Sequence, residues 1–161
     1  AKIVLLPAFV GYLIILFNAK NLSAYSKNMA KLAPPLIILS VISAISFFVS
    51  LTGGTLGELE ILISILSIGI GLWMLYLMIY GLNDIALFFQ IPDEGKRFTD
   101  LFPFLAGFQI AMFVFLLILP GLSLILLFAE LAVHVVFLVR LAQFSQFNFV
   151  FPTPSEAPVS Y

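Results

Sequence analysis

Between Asp100 and Glu130 the chain carries no charged side chain, and the apolar run continues past Glu130 to about residue 143. Crossing about 30 Å of hydrocarbon takes about 20 apolar residues, so this run is too long for one membrane crossing and too apolar for anything else. The "LPGL" at 119–122 divides it, because Pro120 and Gly121 favour a turn over a straight helix. An antiparallel helical hairpin with a minimal turn is the economical solution. Three further apolar segments lie upstream, so the expected spans are roughly 3–17, 34–51, 60–82, 102–119 and 121–143. Only 9% of the residues are charged, against about 25% in a soluble domain, which leaves too little polar surface to cover a water-soluble globule. The expected fold is therefore all-α: a polytopic membrane helix bundle of about five transmembrane helices. It forms a single transmembrane domain over 1–146, followed by a Pro-rich tail at 147–161.

Charge placement orients the bundle. Lys20, Lys27 and Lys31 lie between spans one and two, Lys96 and Arg97 lie between spans three and four, and Arg140 ends span five. Five crossings put all six on one side and leave Lys2 on the other, whose loop "TGGTLGELE" (52–60) is acidic. The positive-inside bias then places the N-terminus outside and the C-terminus in the cytoplasm of a cell (plasma) membrane.

The two basic connections resemble each other. "NLSAYSKNMAKLAPPL" (21–36) and "DIALFFQIPDEGKRFTDLFPFL" (84–105) open alike and close on "KLAP" and "DLFP"; "RLAQF" (140–144) repeats the opening once more. A span leaves the bilayer, a short amphipathic turn lies at the interface, and Pro34 or Pro103 starts the next span where a missing N–H costs nothing. Asp100 is expected to cap the helix that Pro103 begins. The result is a pseudo-repeated helix–linker–helix unit.

"LIILFNAKNLSAYSKNMAKLAPPLIIL", "DIALFFQIPDEGKRFTDLFPFLAGF" and the terminal "LVRLAQF" together resemble a family of small archaeal multi-spanning membrane proteins catalogued as a domain of unknown function. The resemblance implies the same span number, interfacial linkers and aromatic-bearing ends over most of the chain. It implies no activity and no site residues. The "APP" at 33–35 and the Pro-rich tail depart from the family's pattern.

Few polar groups remain inside the hydrocarbon. Counting about 1.5 Å per residue from the Pro-Gly turn, Glu130 lies about 14 Å deep, His134 about 20 Å and Arg140 about 29 Å, at the far interface. Arg140 thus reads as a topology-setting residue able to snorkel. Glu130 and His134 share a helix face, and Gln109 on the antiparallel partner lies level with the gap between them. An intramembrane ionisable residue invites a functional reading by default. Four readings fit this Gln109–Glu130–His134 cluster: hydrogen bonds between helices, contact with a partner subunit, a proton or ion relay, and single-histidine ligation completed by another subunit. Ser40, Ser43, Ser46 and Ser50, like Ser64, Ser67 and Gly71, read as small residues that let helices approach.

With no cysteine and one histidine, thiolate and multi-histidine metal sites are excluded. A net charge of −1 gives no general attraction to nucleic acid. No Gly-rich phosphate loop or nucleophile–base pair is present, so no enzyme activity and no cofactor are expected of this chain alone. In the tail, alternating Phe147, Phe149 and Phe151 favour an extended segment laid on an apolar partner surface. The expected role is an accessory or scaffolding subunit of a multisubunit membrane complex, of a respiratory or other energy-transducing kind, with the bilayer and other membrane subunits as partners. The alternative is a small oligomeric transporter or channel using the Glu130/His134 pair.

Overall fold

The computed structural model describes residues 8–54, 57 and 59–147, with side chains throughout except at 116, 117 and 120–124. The expectations placed on Lys2, on residues 3–7 and on the tail beyond Phe147 lie outside the described residues. All regular structure among the described residues is helical: α1 Ala8–Leu22, α2 Lys27–Ala30, α3 Ala33–Leu51, α4 Leu59–Phe88, α5 Pro92–Thr99, α6 Phe102–Ile118 and α7 Pro120–Ser145. In lipid a backbone must satisfy its own N–H and C=O groups, and a helix does this within one segment. Among the described residues, four helical stretches are long and apolar enough to cross a membrane: Ala33–Leu51, Leu59–Phe88, Pro92–Phe115 and Ile125–Ser145. The fifth expected span, α1, is apolar but shorter, at 15 residues.

The helices outrun the apolar segments that announce them. α1 continues to Leu22, α4 to Phe88 and α7 to Ser145, because leaving the hydrocarbon does not end a helix. At about 1.5 Å per residue the 30 residues of α4 span about 45 Å, well beyond the hydrocarbon thickness. The excess includes Asn83 and Asp84, which follow the apolar segment.

The chain forms two compact units, Ala1–Met78 and Ile79–Tyr161, divided within α4. In the first, α1 packs along α3 and touches α2, with Phe9 and Phe47 edge to face at 5.9 Å. The linker residues build its core: Ala19, Met29, Leu32, Leu36 and Leu39 are all buried. Ser26 sets this corner. In an extended conformation (φ −150°, ψ 127°), it accepts the Met29 N–H on its hydroxyl at 3.1 Å and so caps α2. Ser26→Ala removes a buried cap, and an expected loss of about 1 kcal/mol is readable as a lower unfolding midpoint in detergent; Ser26→Asn keeps most of it. Pro34 and Pro35 occupy the first turn of α3, as expected. The helix ends in a Schellman motif, with Gly53 left-handed (φ 71°) and the Gly54 N–H on the Val49 carbonyl at 3.0 Å.

The second unit repeats the order: the end of α4, a short helix, a helix with proline in its first turn, then α7. Its α4 ends in the same motif, with the Gln90 N–H on the Leu87 carbonyl (3.1 Å) and the Ile91 N–H on the Ala86 carbonyl (2.9 Å). Here the left-handed residue is Gln90 (φ 60°) rather than a glycine. Gln90→Gly is expected to raise the unfolding midpoint, because a side chain in this conformation costs about 1 kcal/mol. Pro92 then opens α5, which cannot be entered as a continuation of α4.

α5 lays Gly95 and Phe98 inward and Asp93, Lys96 and Arg97 outward. The Phe98 ring is fully buried, edge to face with Phe144 (5.3 Å) and Phe137 (6.1 Å) of α7. Since α5 immediately precedes α6 and also meets the C-terminal part of α7, α6 and α7 run antiparallel, joined by Leu119 alone. The expected hairpin is present, but its turn is Leu119 and not Pro120 and Gly121, which open α7, since proline fits the first turn of a helix. The expected cap is absent: Asp100 is the C-cap of α5, and no side chain caps α6. Asp100 and Leu101 both hold helical dihedrals, so the chain rolls from α5 into α6 without the extended residue that a side-chain N-cap requires. Away from the linkers the helices bare large apolar side chains, among them Phe48, Leu51, Leu62, Ile118 and Phe128. Such a surface suits lipid and not water.

Candidate functional site

α7 carries the ionisable residues that the sequence places deep in the bilayer. Ten and fourteen residues beyond Pro120, Glu130 and His134 lie about 15 and 21 Å along the helix. Glu130 is half-buried and His134 is exposed on the outside of the hairpin. The imidazole Nδ1 lies 2.9 Å from the Glu130 backbone carbonyl, four residues back. A carbonyl only accepts, so Nδ1 is the donor, and the bond lays the ring along its own helix. Nε2 then faces outward.

Gln109 is half-buried on α6, the helix packed against α7. Among the described residues, no hydrogen bond joins Gln109 to Glu130 or His134, and none joins the Glu130 carboxyl to the imidazole. The hairpin thus brings the two helices together while the His134 ring spends its Nδ1–H on the backbone. Exposed Phe128, Leu131, Val135 and Leu138 surround the pair along α7. The chemistry available is that of a carboxyl and an imidazole presented to whatever covers this face.

The basic residues sit at the helix ends. Lys20 is in the last turn of α1, Lys27 and Lys31 begin and follow α2, and Lys96 and Arg97 close α5. Arg140 is not solitary. Together with Glu94, Arg97, Gln143, Gln146 and Phe147 it lines an open cleft of about 460 Å3 between α5 and the end of α7. Arg97 pairs with Glu94 on α5, and Arg140 reaches Gln143 Oε1 at 3.4 Å. Reading Arg140 as a topological charge alone misses this cleft. The available signal was the three-residue spacing of Arg140, Gln143 and Gln146, which sets three polar side chains on one side of a helix end.

Compared with known proteins, the chain matches no family model, no curated protein and no solved structure. Its long apolar helices, their lipid-suited surface and the hairpin geometry identify it as an integral membrane protein of the helical-bundle class.

Proposed function

We propose that the chain is a non-catalytic subunit of a multisubunit membrane complex, docking on another membrane protein through the α7 face that carries Glu130 and His134. The observation that carries this reading is the polar pair itself. Halfway across the bilayer, the Glu130 carboxyl has no hydrogen-bond partner among the described residues and the His134 ring is exposed. A polar group without a partner in hydrocarbon costs several kcal/mol. A neighbouring helix with a complementary donor or acceptor removes that cost, and each bond so formed contributes about 1 kcal/mol to association. The basic residues at the linker ends support an orientation with both linkers and the end of α7 in the cytoplasm of the plasma membrane.

Mild-detergent purification followed by mass spectrometry of the bound proteins tests this. The wild-type chain is expected to retain a membrane-protein partner, and Glu130→Leu with His134→Leu to lose most of it while remaining folded. A monomer that retains nothing, or retention unaffected by both substitutions, refutes the reading. Flux in liposomes abolished by Glu130→Gln would instead favour transport.

A further inference from the structure

Two arginines and one glutamate line a single cleft. We propose that this cleft, between α5 and the C-terminal end of α7, binds the phosphate of an anionic phospholipid headgroup, with Arg97 and Arg140 as its cationic walls. Three observations lead there.

The first is charge. Glu94, Arg97 and Arg140 line the cleft, so its walls carry one net positive charge, which matches the single negative charge of a phosphodiester. The second is unfilled donor capacity. Each guanidinium offers five N–H donors in a fixed fork that suits phosphate oxygens. The Glu94 carboxylate occupies part of the Arg97 fork, and among the described residues Arg140 has one long contact, of 3.4 Å, to Gln143. The side-chain amides of Gln143 and Gln146 add further donors on the same wall.

The third observation is position. Arg140 lies twenty residues beyond Pro120, about 30 Å along α7, which is the hydrocarbon thickness and therefore headgroup level. Beside it lies α5, a short helix with one buried and one charged face, the form a helix takes at a membrane interface. Val136, four residues before Arg140 on the same face, is exposed and apolar. An acyl chain hung from a phosphate in the cleft therefore runs over apolar surface rather than over the polar linker. Phe147 adds an apolar side chain to the lining of the cleft. Phe98, wedged against Phe137 and Phe144, fixes α5 on α7 and so fixes the spacing of the two arginines.

The test uses the full chain in detergent, titrated with short-chain phosphatidylglycerol and, separately, short-chain phosphatidylcholine. The wild-type protein is expected to bind the anionic lipid about tenfold tighter or more: both lipids carry the phosphodiester, but the choline ammonium of the second is repelled by the net positive cleft. Arg97→Gln and Arg140→Gln should each weaken that binding about tenfold. Arg140→Lys should fall between, because an ammonium keeps the charge and loses the fork. Lys27→Gln, in the other unit, should leave binding unchanged. Inorganic phosphate at the same concentration should fail to displace the lipid. Equal binding of the two lipids, or arginine variants that bind as the wild type does, overturns the proposal. Displacement by phosphate alone also overturns it, by making the site one for a soluble anion.

Discussion

Replacing Phe98 with alanine is expected to loosen the second unit more than any other single truncation on α5. The ring is fully buried, with Phe137 and Phe144 edge to face on it. Truncating such a phenylalanine costs about 3–5 kcal/mol, through lost contacts and the cavity left behind. The spans themselves satisfy their backbone within lipid and do not depend on this ring. The loss should therefore appear as undocking of α5: faster proteolysis in the 89–101 linker and a lower midpoint of thermal unfolding in detergent, with helical circular dichroism nearly unchanged. Phe98→Leu should cost less, since it fills part of the cavity. Phe104→Ala, one helix on and exposed, should cost almost nothing. If Phe98→Ala and Phe104→Ala behave alike, α5 is not held by the aromatic wedge.

The second large effect is expected at Gly95, on the turn of α5 that rests on the end of α4. A Cβ there would lie 2.5 Å from Asn83 Oδ1, 3.0 Å from Ala86 Cβ and 3.3 Å from Asn83 Cα. The amide oxygen can rotate away, but the other two atoms belong to the α4 backbone and its first side-chain carbon. Gly95→Ala must therefore push α5 off α4, at a cost of about 1–3 kcal/mol despite the better helix propensity of alanine. Gly69 supplies the contrast. Nothing lies within 4 Å of a Cβ built at that position inside α4, so Gly69→Ala should be neutral or stabilising by up to about 1 kcal/mol. Comparing the two unfolding midpoints in one detergent separates close packing from propensity.

The parts of this fold that were legible in the sequence are those governed by rules local to a few residues. The apolar runs gave the long helices, "LPGL" gave the hairpin turn, and Pro34 and Pro103 marked first turns, because each rests on backbone chemistry alone. The misplaced cap at Asp100 shows where such rules stop. Capping needs an extended residue ahead of the helix, and whether the chain is extended or still helical at 100–101 depends on how α5 docks. Gln90 is a similar case: a Schellman ending is easily read from Gly53 but not from a glutamine, whose left-handed conformation is imposed by the fold of α5 back onto α4.

The polar residues divide in the same way. Counting residues from a turn gives depth along a helix, which is why Glu130, His134 and Gln109 could be set at similar levels. It says nothing of which way each side chain faces or which bond it prefers, and His134 chooses its own backbone. The cleft at Arg140 needed a different kind of information. Arg97 and Arg140 are far apart in sequence and each is accounted for singly by topology; only the docking of α5 on α7 makes them two walls of one site.

In the proposed complex, α7 presents Glu130 and His134 to another protein rather than to lipid. Photo-crosslinking in native membranes reads this directly, with a photoreactive residue placed at His134 and, as a lipid-facing reference, at Ile45 of α3, which is exposed and apolar. A discrete protein adduct from position 134, absent from position 45, is the predicted result. Lipid adducts alone from both positions would contradict it.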